Sequence, residues 1–468
     1  MGILGSIAGG MAKGIFSVSN AVATSTANGL YTALQNAKTK KDIKALYNQV
    51  SNANFENRAV ALLPGTQSRE QLLLVSSNDE NDILDYDVSN VNSAGLDYIY
   101  GMCDDPEGVI VSGGTNDERM VALVPFIYKA QNKGLPIFVI HSGNSALESY
   151  VTNWCQYIDV ISQRGNYYDA FRGLPTEDIA FLLYESMPDE LAVPAAESLI
   201  HAVVEVIDRL GRDITAKSLA DFPLLNLQTQ LNDMLKNGML TKDEYDELNA
   251  FYLAGASEAS NVRVFFNKLN RQFENVFGKN NLSKCNIKGA INKKGIICID
   301  VGNTGNELLF SLVLNHILFL SNQGKDFAVI LDGIPIAKYE KLNDLFRNHT
   351  YAVSNSDFIS SISGGTISKD ELFSEITGSV TRTVLFCHSS GTSCQTWSDY
   401  MGKYNKIKIT NSITQSSAFM NSSSTSGISV SEAETPRVSP TTLTKLNPYC
   451  ACIYSAEGIL FARVNEPE

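Results

Sequence analysis

The sequence predicts an α/β protein with a doubly wound, mostly parallel sheet and an inserted all-α domain, and three observations carry that expectation. Strand-like and helix-like stretches alternate from Glu107 to Asn144 and again from Lys294 onward. The strands are continuous apolar runs, GIICIDV and FAVILDGIPI among them, as happens where helices cover both faces of a parallel sheet. Between the two blocks, residues 175–277 show helical periodicity and no strand pattern.

Length and charge set the bounds. A chain of 468 residues is long enough for two or three domains and a sizeable core. Its net charge of −13 argues against a broad nucleic-acid surface, and the basic stretch Lys284 to Lys294 reads as a solvated loop. The eight Cys and five His form no C-x-x-C pair or zinc-spaced cluster, so reduced thiols in a cytoplasmic setting are expected.

Taken in order, residues 1–35 form an N-terminal amphipathic helix or tail. Ile3, Ile7, Met11, Ile15, Val18 and Val22 recur at helical spacing with Gly and Ala between them. That stripe fits a helix docking on a partner subunit, a flexible tail, or a helix lying on a membrane surface through residues 1–25, and the opening Met-Gly with Ser6 fits a loose myristoylation pattern. Residues 36–104 are an accessory region: a Lys-rich helix from Gln35 to Asn54, then short strands around a Pro-Gly turn between Arg58 and Ser77. The first part of the α/β domain spans 105–173 and the helical insert 174–280, with helices at Glu177–Tyr184, Pro194–Leu210, Leu225–Asn237, Lys242–Ala254 and Asn261–Phe277. Ser218–Phe222 and Thr241–Asp243 read as capped helix starts. The α/β pattern resumes over 281–410, residues 411–435 read as a mobile Ser/Thr-rich loop, and 436–468 as an edge hairpin.

The stretch EGVIVSGGTNDERM has the layout of a phosphate-binding strand, glycine loop and helix. In a working loop, backbone N–H groups face the phosphates, a Lys reaches the β and γ oxygens, and a Ser or Thr hydroxyl holds Mg²⁺. Gly113, Gly114 and Thr115 keep the loop frame, but Arg119 stands where the Lys belongs and Met120 where the hydroxyl belongs. A second nucleotide element, an apolar strand ending in Asp-Glu, is present only as Asp332 followed by Gly333. Two other motifs compete. ICIDVGNTGNE resembles the first phosphate loop of actin-like kinases, with Asp300 toward Mg²⁺ and Gly302 to Gly305 toward phosphate, yet LDGIP is a poor second loop. Cys387-His388-Ser389 sits at a strand end, but sequence neighbours on a strand point to opposite faces, so a buried strand is the simpler reading.

In order and spacing, SGGTNDERM, FVIHSGN, the helices of 175–277, ILDGIPI, LFCHSSGTSCQ and ETPRVSPTTLTKL resemble the TraG-type coupling proteins of type IV secretion, within the FtsK/HerA-like P-loop ATPases. That resemblance covers roughly residues 105–465 and implies a RecA-type core, ATP chemistry and assembly into hexameric rings. The departures fall on catalytic positions: Arg119, Met120, Asn116 and Glu118 in the loop, His141 for the strand Asp, and Gly333 after Asp332. Loss at both elements implies a pseudo-ATPase with no catalytic residues, acting as an assembly or docking subunit of a secretion- or conjugation-like machine. Such a chain needs no cofactor, although residual ATP binding without hydrolysis at Gly113, Gly114, Thr115 and Arg119 fits the surviving backbone donors, and no metal is expected. The alternative is an active, divergent ATP-hydrolysing translocase whose catalytic residues come from a neighbouring subunit. Expected partners are copies of itself or other protein subunits, in the cytoplasm or peripheral to a membrane.

Overall fold

The computed structural model describes residues 44–45, 47–50, 53–54, 60–62, 108–155, 157–278, 284–302, 306–336, 341–364, 367–418, 421–455 and 458–464. The stripe Ile3, Ile7, Met11, Ile15, Val18 and Val22 lies outside them. The described residues fall into two compact units: those within 1–129, 352–363 and 373–468 make the first, those within 130–351 and 364–372 the second. The divide does not follow the edges of the helical insert; its helices belong to the same unit as six of the strands.

In the first unit the strand order is β1 (Val60–Leu62), β14 (Gly458–Arg463), β13 (Cys450–Ser455), β10 (Arg382–Leu385), β2 (Gly108–Ser112) and β9 (Thr350–Asn355). Strand β2 pairs with β10 in parallel, Val109 opposite Arg382 and Ser112 opposite Leu385. All five residues of β2 are buried, as a central parallel strand requires. Strands β13 and β14 form the expected antiparallel hairpin. The hairpin is not the edge, however, because Val60–Leu62 pairs in parallel with Ile459–Phe461. A stretch assigned by its sequence to an accessory sheet therefore closes the main one; alternation cannot tell which sheet a short strand joins.

The second unit has the order β8 (Ala328–Asp332), β3 (Ile137–His141), β7 (Ile296–Asp300) and β4 (Ile158–Ile161), all parallel, and a separate parallel pair of β5 (Tyr167–Tyr168) with β6 (Lys284–Cys285). The helices of its insert are Thr176–Glu185, Pro194–Arg209, Ala216–Asp221, Leu227–Lys236, Lys242–Gly255 and Ala259–Phe277. They pack by amphipathic faces: on Ala259–Phe277 the residues Val262, Phe265, Phe266, Leu269, Phe273 and Phe277 are buried. Phe273 stacks on Tyr168 at 6.0 Å, and Gln272 accepts from the Leu309 N–H at 2.8 Å, tying this helix to the helix Glu307–Asn322. Thr241 and Glu244 form a capping box at the start expected there. Near Ser218 the cap is instead Thr215, with Ser218 closing the box from inside the helix.

The Ser/Thr-rich segment expected to be a loop is instead a two-stranded ribbon, β11 (Lys403–Ala418) with β12 (Asn421–Pro436), paired from Lys403↔Pro436 to Ala418↔Asn421. Thr, Ile and Val suit extended backbone even where few apolar residues are present, and composition had outweighed that preference. At its base, Asn54 donates to the Ile407 carbonyl at 2.9 Å and accepts its N–H at 2.8 Å, as a neighbouring strand would.

Candidate functional site

The glycine turn after β2 is held from three sides within the first unit. Gly113 and Gly114 have φ of 86° and 64°, a region costly for other residues. Their N–H groups donate to the carbonyls of Asn355 at 3.1 Å and Cys387 at 2.8 Å. A Cβ on Gly113 would lie 2.7 Å from His388 Cε1 and Nδ1 and 2.8 Å from the Cys387 oxygen, so only glycine fits.

Helix Asn116–Asn132 begins from this turn and runs through Pro125. Thr115 and Glu118 cap its start reciprocally: Glu118 Oε2 accepts the Thr115 N–H at 2.7 Å and the Thr115 hydroxyl at 3.0 Å, while Thr115 Oγ1 accepts the Glu118 N–H at 3.3 Å. The other carboxylate oxygen accepts the Tyr449 N–H at 2.7 Å. Glu118 and Arg119 are buried, 6% and 4% exposed. Arg119 Nη1 donates to the carbonyls of Gly114 at 3.0 Å and Gly113 at 3.4 Å, and Nη2 donates to Asn116 Oδ1. The guanidinium thus lies back on the loop's own oxygens. Met120 is buried in the core.

Below the turn is a buried polar clamp that the sequence did not reveal. Ser112 Oγ lies 2.8 Å from His388 Nε2, and His388 Nδ1 is 2.7 Å from the Phe386 carbonyl. The carbonyl fixes the ring hydrogen on Nδ1, so Nε2 accepts from the serine hydroxyl, whose oxygen accepts the Phe358 N–H at 3.1 Å. Burial lowers the His388 pKa below its ordinary value, which keeps the ring neutral. Ser112 is 0% and His388 2% exposed, so this serine–histidine pair is sealed from substrate and serves to pin β2, β10 and the segment after β9. Beside it both Asp357 oxygens accept Ser393 Oγ at 2.8 Å. The sequence marked His388 at a strand end, but nothing in it pointed to Ser112 as its partner.

In the second unit, three residues noted separately in the sequence stand side by side at the carboxyl ends of parallel strands. His141 on β3 is in register with Asp300 on β7 and with Asp332 on β8. Asp332 is 2% exposed, and its Oδ2 accepts Asn144 Nδ2 at 2.8 Å. Gly333 follows with φ of 72°. Asp300 Oδ1 accepts the N–H groups of Gly302 at 2.8 Å and Gly143 at 3.0 Å, which joins the loops after β7 and β3. His141 Nδ1 accepts the Asn144 N–H at 3.1 Å, and its Nε2 lies 3.5 Å from Glu148 Oε1. Glu148, in helix Ser145–Trp154, had drawn no attention because nothing in its spacing ties it to Asp300, more than 150 residues later. Next to Asp300 is an open crevice of about 400 Å³ lined by Gln163, Asn275, Val276, Gly302 and Asn306.

Among the described residues no helix is long and apolar enough to cross a membrane. No protein-family model matches the sequence, and no curated protein matches it. Among solved structures, the chain is similar to the unbound monoclinic form of the bacterial conjugative coupling protein TrwBdeltaN70, at 11% identity over 78% of this chain and 86% of that one, with a TM-score of 0.49. It is similar at 11% identity and the same coverage to the plasmid coupling protein TrwB in complex with ADP and Mg²⁺, with a TM-score of 0.46. VirB4 of Thermoanaerobacter pseudethanolicus matches at 9% identity over 77% of this chain and 89% of that one, with a TM-score of 0.40.

Proposed function

We propose that this chain is a catalytically silent subunit of a secretion- or conjugation-like machine, working through assembly or docking with copies of itself or other protein subunits rather than through ATP hydrolysis. The observation that carries the reading is that the glycine turn's donors already have acceptors within the chain. Gly113 and Gly114 donate to backbone carbonyls, and Thr115 donates to Glu118. A phosphate would have to displace a buried carboxylate and then sit against its charge.

The remaining chemistry points the same way. Phosphoryl transfer is catalysed almost entirely by positioned charge around the γ-phosphate and its Mg²⁺. Arg119 is turned onto the Gly113 and Gly114 carbonyls, and Met120 offers no hydroxyl. Gly333 has no side chain to activate water.

Mg-ATP titrated into the full chain tests the reading. A ligand that binds the native state raises the melting temperature by mass action, by roughly 2.7 kcal/mol of stability at a hundredfold excess over Kd. A melt at millimolar Mg-ATP unchanged from that in the same MgCl₂ without nucleotide, with phosphate release at background, is the expected result. Hydrolysis that disappears in Asp332→Ala would overturn the reading and favour an active enzyme.

A further inference from the structure

The Glu148–Asp300 pair is a second feature of chemical interest, independent of the glycine turn and of whether that turn binds nucleotide. We propose that these two carboxylates hold a hard divalent cation, of the Mg²⁺ or Mn²⁺ class, at the mouth of the crevice beside Asp300.

Four observations converge. A carboxylate oxygen of Glu148 and one of Asp300 fall within 4.8 Å of each other, about twice the 2.0–2.5 Å of an ion–oxygen bond. Asp300 is pre-oriented: Oδ1 is fixed by the Gly143 and Gly302 N–H groups, and neither bond uses Oδ2. Both carboxylates are partly open, with side chains 19% and 23% exposed, and the adjoining crevice has room for the waters that such an ion keeps. The fourth is His141, whose side chain is 0% exposed and whose Nε2 has no hydrogen-bond partner among the described residues.

The state of that imidazole decides the class of metal. The Asn144 N–H occupies Nδ1, so the ring hydrogen is on Nε2 and points toward Glu148. A ring in that tautomer has no lone pair at Nε2 to give to zinc or copper, whose histidine ligands carry the hydrogen on the other nitrogen. It is instead a donor behind a carboxylate ligand. At 3.5 Å the Glu148 carboxylate is not yet engaged. A cation drawing Glu148 toward Asp300 also offsets the repulsion between the two carboxylates, and lets Nε2–H close onto the glutamate.

Mn²⁺ is the probe. Titration of the full chain with MnCl₂, followed by loss of the free-ion EPR signal, should show one bound ion per chain, displaced by excess Mg²⁺. Glu148→Gln, at a partly exposed position, and Asp300→Asn, which retains Oδ1 for the two glycine N–H groups, should each weaken binding about tenfold or more. Their far-UV spectra should match that of the parent chain. Absence of Mn²⁺ binding at millimolar concentration overturns the proposal, as does binding that survives both substitutions. Zn²⁺ binding tighter than Mn²⁺ and abolished by His141→Gln overturns the assignment to a hard cation. These results are separable from the Mg-ATP melt, because the metal is added alone.

Discussion

Replacing Glu118 by glutamine should damage this protein nearly as much as replacing it by alanine. Such a swap is ordinarily mild, since the amide keeps the shape of the acid. Here both carboxylate oxygens are acceptors of backbone N–H groups, Oε2 from Thr115 at 2.7 Å and Oε1 from Tyr449 at 2.7 Å. An amide can accept on one side only, so its NH₂ must face an N–H on the other. A buried donor left without a partner costs about 1–3 kcal/mol, and hydrogen bonds to a charged acceptor are worth about 1.5–3 kcal/mol. Thr115 is exposed, so water can take over part of its loss, whereas Tyr449 is only partly open. Allowing for that, and for the broken helix cap at roughly 1 kcal/mol, both variants should lose about 2–4 kcal/mol. The measurement is urea unfolding in a Trp154→Phe background, where the remaining Trp397, fully buried in the first unit, reports on that unit. A Glu118→Gln midpoint indistinguishable from the parent would refute the reasoning, because it would mean that one of the two N–H contacts carries no weight.

Further outcomes follow from the same region. Gly113→Ala adds a Cβ 2.7 Å from the His388 ring at a φ of 86°; strain and overpacking should together cost about 2–5 kcal/mol, read as a lower urea midpoint or loss of soluble protein. Ser112→Ala leaves both His388 Nε2 and the Phe358 N–H without their buried partner, and should cost about 2–4 kcal/mol in the same assay. Burial lowers the pKa of both His388 and His349 in the folded state, so below about 6.5 the unfolded chain binds more protons than the native one. Their stabilisation is complete above that pH and is lost as pH falls through the depressed folded values. Urea midpoints should therefore drop between pH 7 and pH 5, with a shallower slope in His388→Gln; an equal slope would remove His388 from the account.

The local composition of the chain determined the alternation of strands and helices, the apolar runs of buried strands, the long helical block and the glycine turn. These are legible because the rules are short-range: a 3.6-residue period, a period of two, a Gly where φ must be positive, a Thr three residues before a Glu. The same reading marked Met120 as unfit for Mg²⁺ and Arg119 as standing where the loop lysine belongs, since those judgements need only the side chains' chemistry.

What the tertiary structure alone decided is where the polar groups point. The sequence left Arg119 free to reach outward from the loop, yet its guanidinium folds onto Gly113 and Gly114. Tyr449, hundreds of residues from Glu118 in sequence, supplies one of the donors that fix it. Ser112 meets His388, and Glu148 comes near Asp300, only because parallel strands bring their carboxyl ends to one edge while their connections run through long helical detours. The ribbon of residues 403–436 shows the same limit from the other side. A Ser/Thr-rich segment has no strong local preference, and its hydrogen-bonded register with the returning strand settled its form.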